Sequence, residues 1–199
     1  MIRRIRHGDA GQAFPIYITV VGGLLFLAFA YFAVGQAAAN RNDAQTAADA
    51  AALAAAQDRR DQLAGAWEQN ILDPTKWQDI FDGEGLNLDP SCWRADQLAA
   101  QNDATVTCAP AGPLAYTVEA TTEEPVGDSI VPGTENKYSK ESATAVIEPR
   151  CEFDLQGWEA GGDTLPLLTC KGEPWKLDPK GPKDLLPKPE DLFDVHLAD

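Results

Sequence analysis

The residues best suited to chemistry are four cysteines, Cys92, Cys108, Cys151 and Cys170. None sits in a CxxC pair, and the 15, 42 and 18 residues between successive members do not give zinc-knuckle spacing. An even number of cysteines in an exported region reads as a disulfide framework. Three pairings are open. Neighbour pairing, Cys92–Cys108 and Cys151–Cys170, closes the shortest loops and is the one expected, each bridge stabilising by about 3 kcal/mol in the loop-entropy account. Beyond the cysteines the chemistry is thin. His7 and His196 stand at opposite ends of the chain, which leaves no material for a His-based triad or a His-rich metal site. His196 reads as a solvated tail residue. Gly127-Asp128-Ser129 has neither a Gly-x-Ser-x-Gly elbow nor a downstream Asp-x-x-His. The Asp82–Asp89 stretch puts Leu86 and Leu88 where an EF-hand needs ligands. No carboxylate pair is singled out for glycoside hydrolysis. The five tryptophans read as core and staple residues under the disulfide loops. No catalytic residue, cofactor or metal site is expected, and the chain is not expected to be an enzyme.

The elements that must position these residues follow from an uneven composition. The 199 residues carry 16 Lys+Arg against 31 Asp+Glu, a formal charge of -15. That balance argues against nucleic acid, whose phosphates require clustered basic groups. The length suits one modest domain with additions. Residues 10–40 hold no charge, and their apolar centre, Ala13 to Gly35, is 23 residues long. At roughly 1.5 Å per residue such a helix reaches roughly 34 Å, enough to cross a hydrocarbon core of roughly 30 Å. Tyr17 and Tyr31 lie near its ends, where amphipathic rings suit the headgroup level.

Arg3, Arg4 and Arg6 precede this span, offset only by Asp9, while Arg41 behind it is answered by Asp43. The positive-inside bias therefore predicts a cytoplasmic N-terminus and an extracytoplasmic remainder, with the span as a retained signal anchor. Ala37-Ala38-Ala39 offers a secretory cleavage site that would leave Asn40 first, but the apolar run is longer than a secretory one. Gly11 follows the basic cluster and precedes the apolar helix, where prepilin peptidases cut. It is a candidate site, with Gln12 as the first residue of the processed chain. Ile16 then stands where filament-forming pilins carry Glu.

Beyond the span, twelve alanines fall between Ala37 and Ala56, and no Gly or Pro interrupts residues 36–62. The helix is expected to continue outward. Leu53, Ala56, Arg60, Leu63, Trp67 and Ile71 recur at spacings of three and four on one face, and Asp73-Pro74 ends the run. Gly22, Gly23, Gly35 and Ala39 are small enough for close helix packing. The alanines have two readings, a surface for partner helices or a helix covered by the chain's own head. Asn40-Arg41-Asn42-Asp43 is a candidate hinge at the membrane surface. Residues 104–108, 114–121 and 143–148 alternate and are β-branched, which predicts three strands. From Cys151 the chain is Pro-rich and acidic and reads as an extended tail with a disulfide loop at its base. The expected layout is α+β and membrane-anchored: a cytoplasmic tail over 1–12, a transmembrane helix over 13–35, an Ala-rich extracytoplasmic helix over 36–72, a small disulfide-pinned β-containing head over 73–150, and the tail over 151–199.

The basic start, Asp9-Ala10-Gly11-Gln12-Ala13, the single span, and the run from Ala44 to Ala56 (AQTAADAAALAAA) together resemble the TadE/TadG-like proteins of tight-adherence (Flp-type) pilus assembly, in particular the short actinobacterial TadG-related members. The resemblance covers about residues 8–60. It implies a non-enzymatic single-pass membrane component, pseudopilin-like or a minor subunit, whose N-terminal helix meets pilus-machine or pilin-like proteins. The larger TadG members carry a von Willebrand-type domain with a D-x-S-x-S metal motif that this sequence lacks. The alternative is a membrane-anchored binding module whose head contacts a cell-wall polymer or surface partner.

Overall fold

The computed structural model describes residues 13–84, 87–126, 136–155, 165–178 and 185–198. One helix, α1 (Ala13–Gln69), runs for 57 residues without a break, about 85 Å at the rise of an α-helix. It closes through a turn in which the Asn70 side-chain amide donates to the Ala66 carbonyl at 2.8 Å. Asp73 and Pro74 then turn the chain back through a 3-10 turn (Pro74–Lys76) into α2 (Trp77–Phe81). Gly83 follows with φ +86; a Cβ there would come within 2.9 Å of Leu114 and Pro113. Only glycine fits that left-handed, crowded position.

Helix α3 (Cys92–Ala100) packs along α1. Strands β1 (Ala104–Pro110), β2 (Ala115–Thr122) and β3 (Lys140–Pro149) form an antiparallel meander that packs against α1 and, through β1, against α3. Alternation sets the inner face: Tyr116, Val118 and Ala120 on β2, and Ala143, Ala145 and Ile147 on β3, are buried, while Thr117 and Glu119 face outward. Because Ala120, Ala143 and Ala145 are small, the sheet can lie close to α1. Ala95 and Ala99 are the buried residues of α3, so the helix that packs along α1 also presents alanine. This is why α1 needs alanine here. Ala44, Ala47, Ala48, Ala51, Ala52, Ala55 and Ala56 are completely buried.

The expected α+β architecture is present, with two departures. First, the segment from Cys151 is not an extended tail throughout. Strands β4 (Cys151–Phe153), β5 (Leu168–Cys170) and β6 (Glu173–Trp175) make a small second sheet. Helix α4 (Pro189–Leu192) then leads into β7 (Phe193–Leu197), which joins the main sheet beside β3 in the order β1-β2-β3-β7. Leu192 and Phe193 are buried in the core. The Pro-rich, acidic average of the segment hides the short apolar alternation Phe193-Asp194-Val195-His196-Leu197. Second, residues 40–43 do not hinge. They are helical and tied to the head, as described below.

Candidate functional site

The N-terminal half of α1 has a surface unlike the rest of the molecule. Every large apolar side chain from Phe14 to Val34 is exposed, Tyr31 at 83 %. The most apolar 18-residue window has a mean hydropathy of 2.2 and is 6 % buried. Such a surface is costly in water at about 25 cal/mol per Å2 and stable in lipid. The length and composition of this helix allow it to cross a membrane. Gly22, Gly23 and Gly35 each have no heavy atom within 4 Å of where a Cβ would stand, and Ala39 is exposed. The four small residues therefore present open space on which another helix could close.

Where the apolar half meets the head, polar side chains make a lock. Asn40 donates from Nδ2 to the Glu124 carbonyl at 3.1 Å, and the Thr122 hydroxyl donates to Asn40 Oδ1 at 3.4 Å. Next to it, Arg41 Nε meets Glu141 Oε1 at 2.6 Å. The helix is thus gripped by the end of β2 and the start of β3 just where the sequence suggested a hinge. The grip has a consequence for the alanine run. Ala44 to Ala56 is walled in by the chain's own sheet and α3, so this stretch of α1 is not an open face for partner helices. Of the two readings of the alanines, the covered one holds. The face that carries Leu53, Ala56, Arg60, Leu63, Trp67 and Ile71 is turned inward as its spacing predicts, with Ala56, Leu63 and Trp67 fully or nearly fully buried.

The structure joins Cys92 to Cys108 and Cys151 to Cys170. The first bridge pins the start of α3 to β1. The second lies across directly opposed residues of β4 and β5. Trp67 and Trp77 pack together with centroids 5.6 Å apart, and Phe153, Phe81 and Phe193 extend the cluster. These tryptophans are core residues, whereas Trp93 is exposed with the Arg94 guanidinium over its ring at 5.3 Å. Leu88 packs against the core and the Asp89 amide donates to Gln62 Oε1 at 2.7 Å, which fastens these two residues to α1; Leu86 lies outside the described residues. His196 lies on β7, half-exposed, 3.5 Å from Asp194 and 3.9 Å from Glu148, rather than in a solvated tail. Among the described residues no group of three His, Cys, Asp or Glu is placed to hold a metal ion. Gly11, Gln12, His7, the basic residues Arg3, Arg4 and Arg6, and Gly127-Asp128-Ser129 lie outside the described residues.

Three structural partnerships escape sequence reasoning. Arg59 donates from Nε and Nη2 to the Tyr116 hydroxyl at 2.9 and 2.8 Å. Arg150 pairs with Asp194, linking the end of β3 to β7. Asn40 bonds to residues more than 80 positions away. No local pattern announces contacts between residues so distant in sequence.

The family model for TadE/G-like proteins of Flp pilus assembly matches residues 11–58. A search of curated proteins and a search of solved structures each found no match. The matched stretch begins just before α1 and ends inside the head. It therefore contains the exposed apolar half, the lock at Asn40 and Arg41, and the buried alanine run.

Proposed function

The chain carries a TadE/G-like N-terminal region, residues 11–58, and on that premise we propose that it is a non-enzymatic, single-pass component of a Tad/Flp-type pilus assembly or secretion apparatus. Its role is that of a pseudopilin-like or minor subunit. The observation that carries the reading is the family match to a segment whose first half is an unpartnered apolar helix. In this reading the N-terminus is cytoplasmic, the head is extracytoplasmic, and partner contacts are made by the lipid-level part of α1. Gly22, Gly23, Gly35 and Ala39 are the residues that admit a neighbouring helix, because a side chain no larger than a methyl lets backbones approach. The head, pinned by two disulfides, serves to hold α1 straight and at a fixed height. Processing after Gly11 would make Gln12 the first residue of the mature protein and favour entry into a filament.

In-cell photo-crosslinking tests the reading. A photoreactive residue in place of Leu27, which is 64 % exposed on the apolar half, should capture pilin-like or pilus-machine proteins. One in place of Trp93, which is 54 % exposed on the head, should capture none of them. Recovery of lipid alone from position 27 would overturn the proposed role.

A further inference from the structure

We infer that the stretch around Tyr138, which leads into β3, rests in the lipid headgroup layer, at the level where α1 leaves the hydrocarbon. The inference rests on the membrane reading of the apolar half of α1. It does not depend on the pilus role or on which side of the membrane the head occupies.

The height of the β2–β3 hairpin can be read from its contacts. Its upper part is fixed to α1 by Tyr116 against Arg59, and its lower part by Thr122 and Glu124 against Asn40. Strands and helix therefore run side by side, with the hairpin descending toward the apolar half. The pairing continues below Asn40, because the Val126 amide donates to the Lys137 carbonyl at 2.8 Å. On the opposite side of the hairpin, Lys137 is two residues before Ser139, whose carbonyl accepts from the Thr122 amide, and two residues at an extended rise descend about 6.6 Å, which equals four to five residues of α-helix. That sets the Val126–Lys137 rung level with Gly35 and Gln36, at the end of the uncharged apolar stretch.

The exposure of α1 agrees. Ala33 is buried and Gln36 is half-buried, while Phe32 and Val34 on either side of Ala33 are 62 % and 69 % exposed. Residues 33, 36, 40, 44, 47 and 51 follow one another at spacings of three and four, so they form one stripe. Its upper members face the sheet or bond to the hairpin. Burial on this single side of α1 thus continues down to Ala33, inside the stretch that spans.

The side chains at this level suit an interface. Tyr138 is 51 % exposed, with an apolar ring and a polar hydroxyl, and the exposed Lys137 beside it has a stem that can lie along lipid while its ammonium reaches water. The contact is not a polybasic one. Lys140 is near Glu119 at 3.5 Å, Arg41 is bonded to Glu141, and Glu123 and Glu124 are exposed nearby. The surface therefore fits a zwitterionic phospholipid and needs no anionic lipid.

The test uses the full-length protein in nanodiscs of pure phosphatidylcholine, with p-benzoylphenylalanine replacing Tyr138, Phe26 or Trp93 in turn. Each is an exposed aromatic position, so the fold is preserved. Trp93 is the distant control: Ser91, two residues before it, accepts from Gln62 at 3.2 Å, and Gln62 stands about 40 Å above Gly35 along the helix. Phospholipid adducts identified by mass spectrometry should form at Tyr138→p-benzoylphenylalanine in yields on the order of tenfold above those at position 93, given that separation of about 40 Å. Background yield at 138, or adducts there only to a second copy of the protein, would overturn the inference while positive adducts at 26 leave the membrane helix standing. Background yield at 26 as well would overturn the membrane reading on which the inference rests.

Discussion

Replacing Ala51 by leucine probes the claim that the alanine run is an enclosed strut rather than an open docking face. Ala51 is completely buried, as are Ala47, Ala48, Ala52 and Ala55 around it. The walls are the sheet, with Ala120, Ala143 and Ala145 on its inner face, and α3, with Ala95 and Ala99. A leucine adds three carbons at a position that is already completely enclosed. The gain from burying them, about 0.8 kcal/mol for each methylene, is not realised when the walls must part. Overpacking of this kind costs about 1–3 kcal/mol. For a protein of this size the loss corresponds to a fall in Tm on the order of 3–10 °C. Ala39→Leu is the paired control. Ala39 is exposed on the same helix, and a surface change of this kind alters stability by no more than about 0.5 kcal/mol. The assay is thermal unfolding of the full-length protein in detergent micelles, followed by near-ultraviolet circular dichroism of the Trp67–Trp77 cluster. A variant Ala51→Leu that melts with the wild type, or an Ala39→Leu that melts as low as Ala51→Leu, would refute the enclosed-strut reasoning.

Removing the Cys92–Cys108 bridge, by Cys92→Ala with Cys108→Ala, opens a loop of sequence separation 16 and is expected to cost about 3 kcal/mol in the loop-entropy account, measured by urea unfolding with and without reductant. Gly83→Ala places a methyl within 2.9 Å of Leu114 and Pro113 at φ +86, and should destabilise by about 1–3 kcal/mol, as left-handed strain does, in the same assay. Asp73 has its carboxyl held below its ordinary value of 3.8, chiefly by the Thr75 hydroxyl that donates to it; desolvation opposes this, and Lys76 adds to the lowering. A lowered pKa in the folded state contributes stability above the unfolded value that is lost as pH falls through the folded one. The melting difference between wild type and Asp73→Asn should therefore be present at neutral pH and disappear in acid below 3.8.

Much of the architecture is legible in the sequence for physical reasons that act locally. An uncharged run of 31 residues and an alanine-rich stretch free of Gly and Pro specify a long helix without reference to anything else. The three- and four-residue spacing from Leu53 to Ile71 marks its buried face, and Asp73-Pro74 marks its end. The β-branched alternation of 104–108, 114–121 and 143–148 finds three of the four strands of the main sheet. The fourth strand, β7, is missed because five residues of alternation are outweighed by the prolines and acids before them. The enclosure of the alanines is not legible either. An alanine helix is equally suited to a neighbouring helix and to a sheet of its own chain, and the choice depends on the inner-face residues Ala120, Ala143 and Ala145, which are far away in sequence. The lock at Asn40 is hidden for the same reason. Asn-Arg-Asn-Asp within a helix looks like a weak point until Thr122, Glu124 and Glu141 arrive to satisfy it.

The central claim is that a TadE/G-like membrane helix makes this protein part of a pilus or related secretion machine. Counting surface pili by electron microscopy in a strain lacking the gene, with and without the full-length protein restored, tests it most directly. The account predicts pili that are absent or altered in number or length, and recovered on restoration. Unaltered pili in the deletion strain would contradict it.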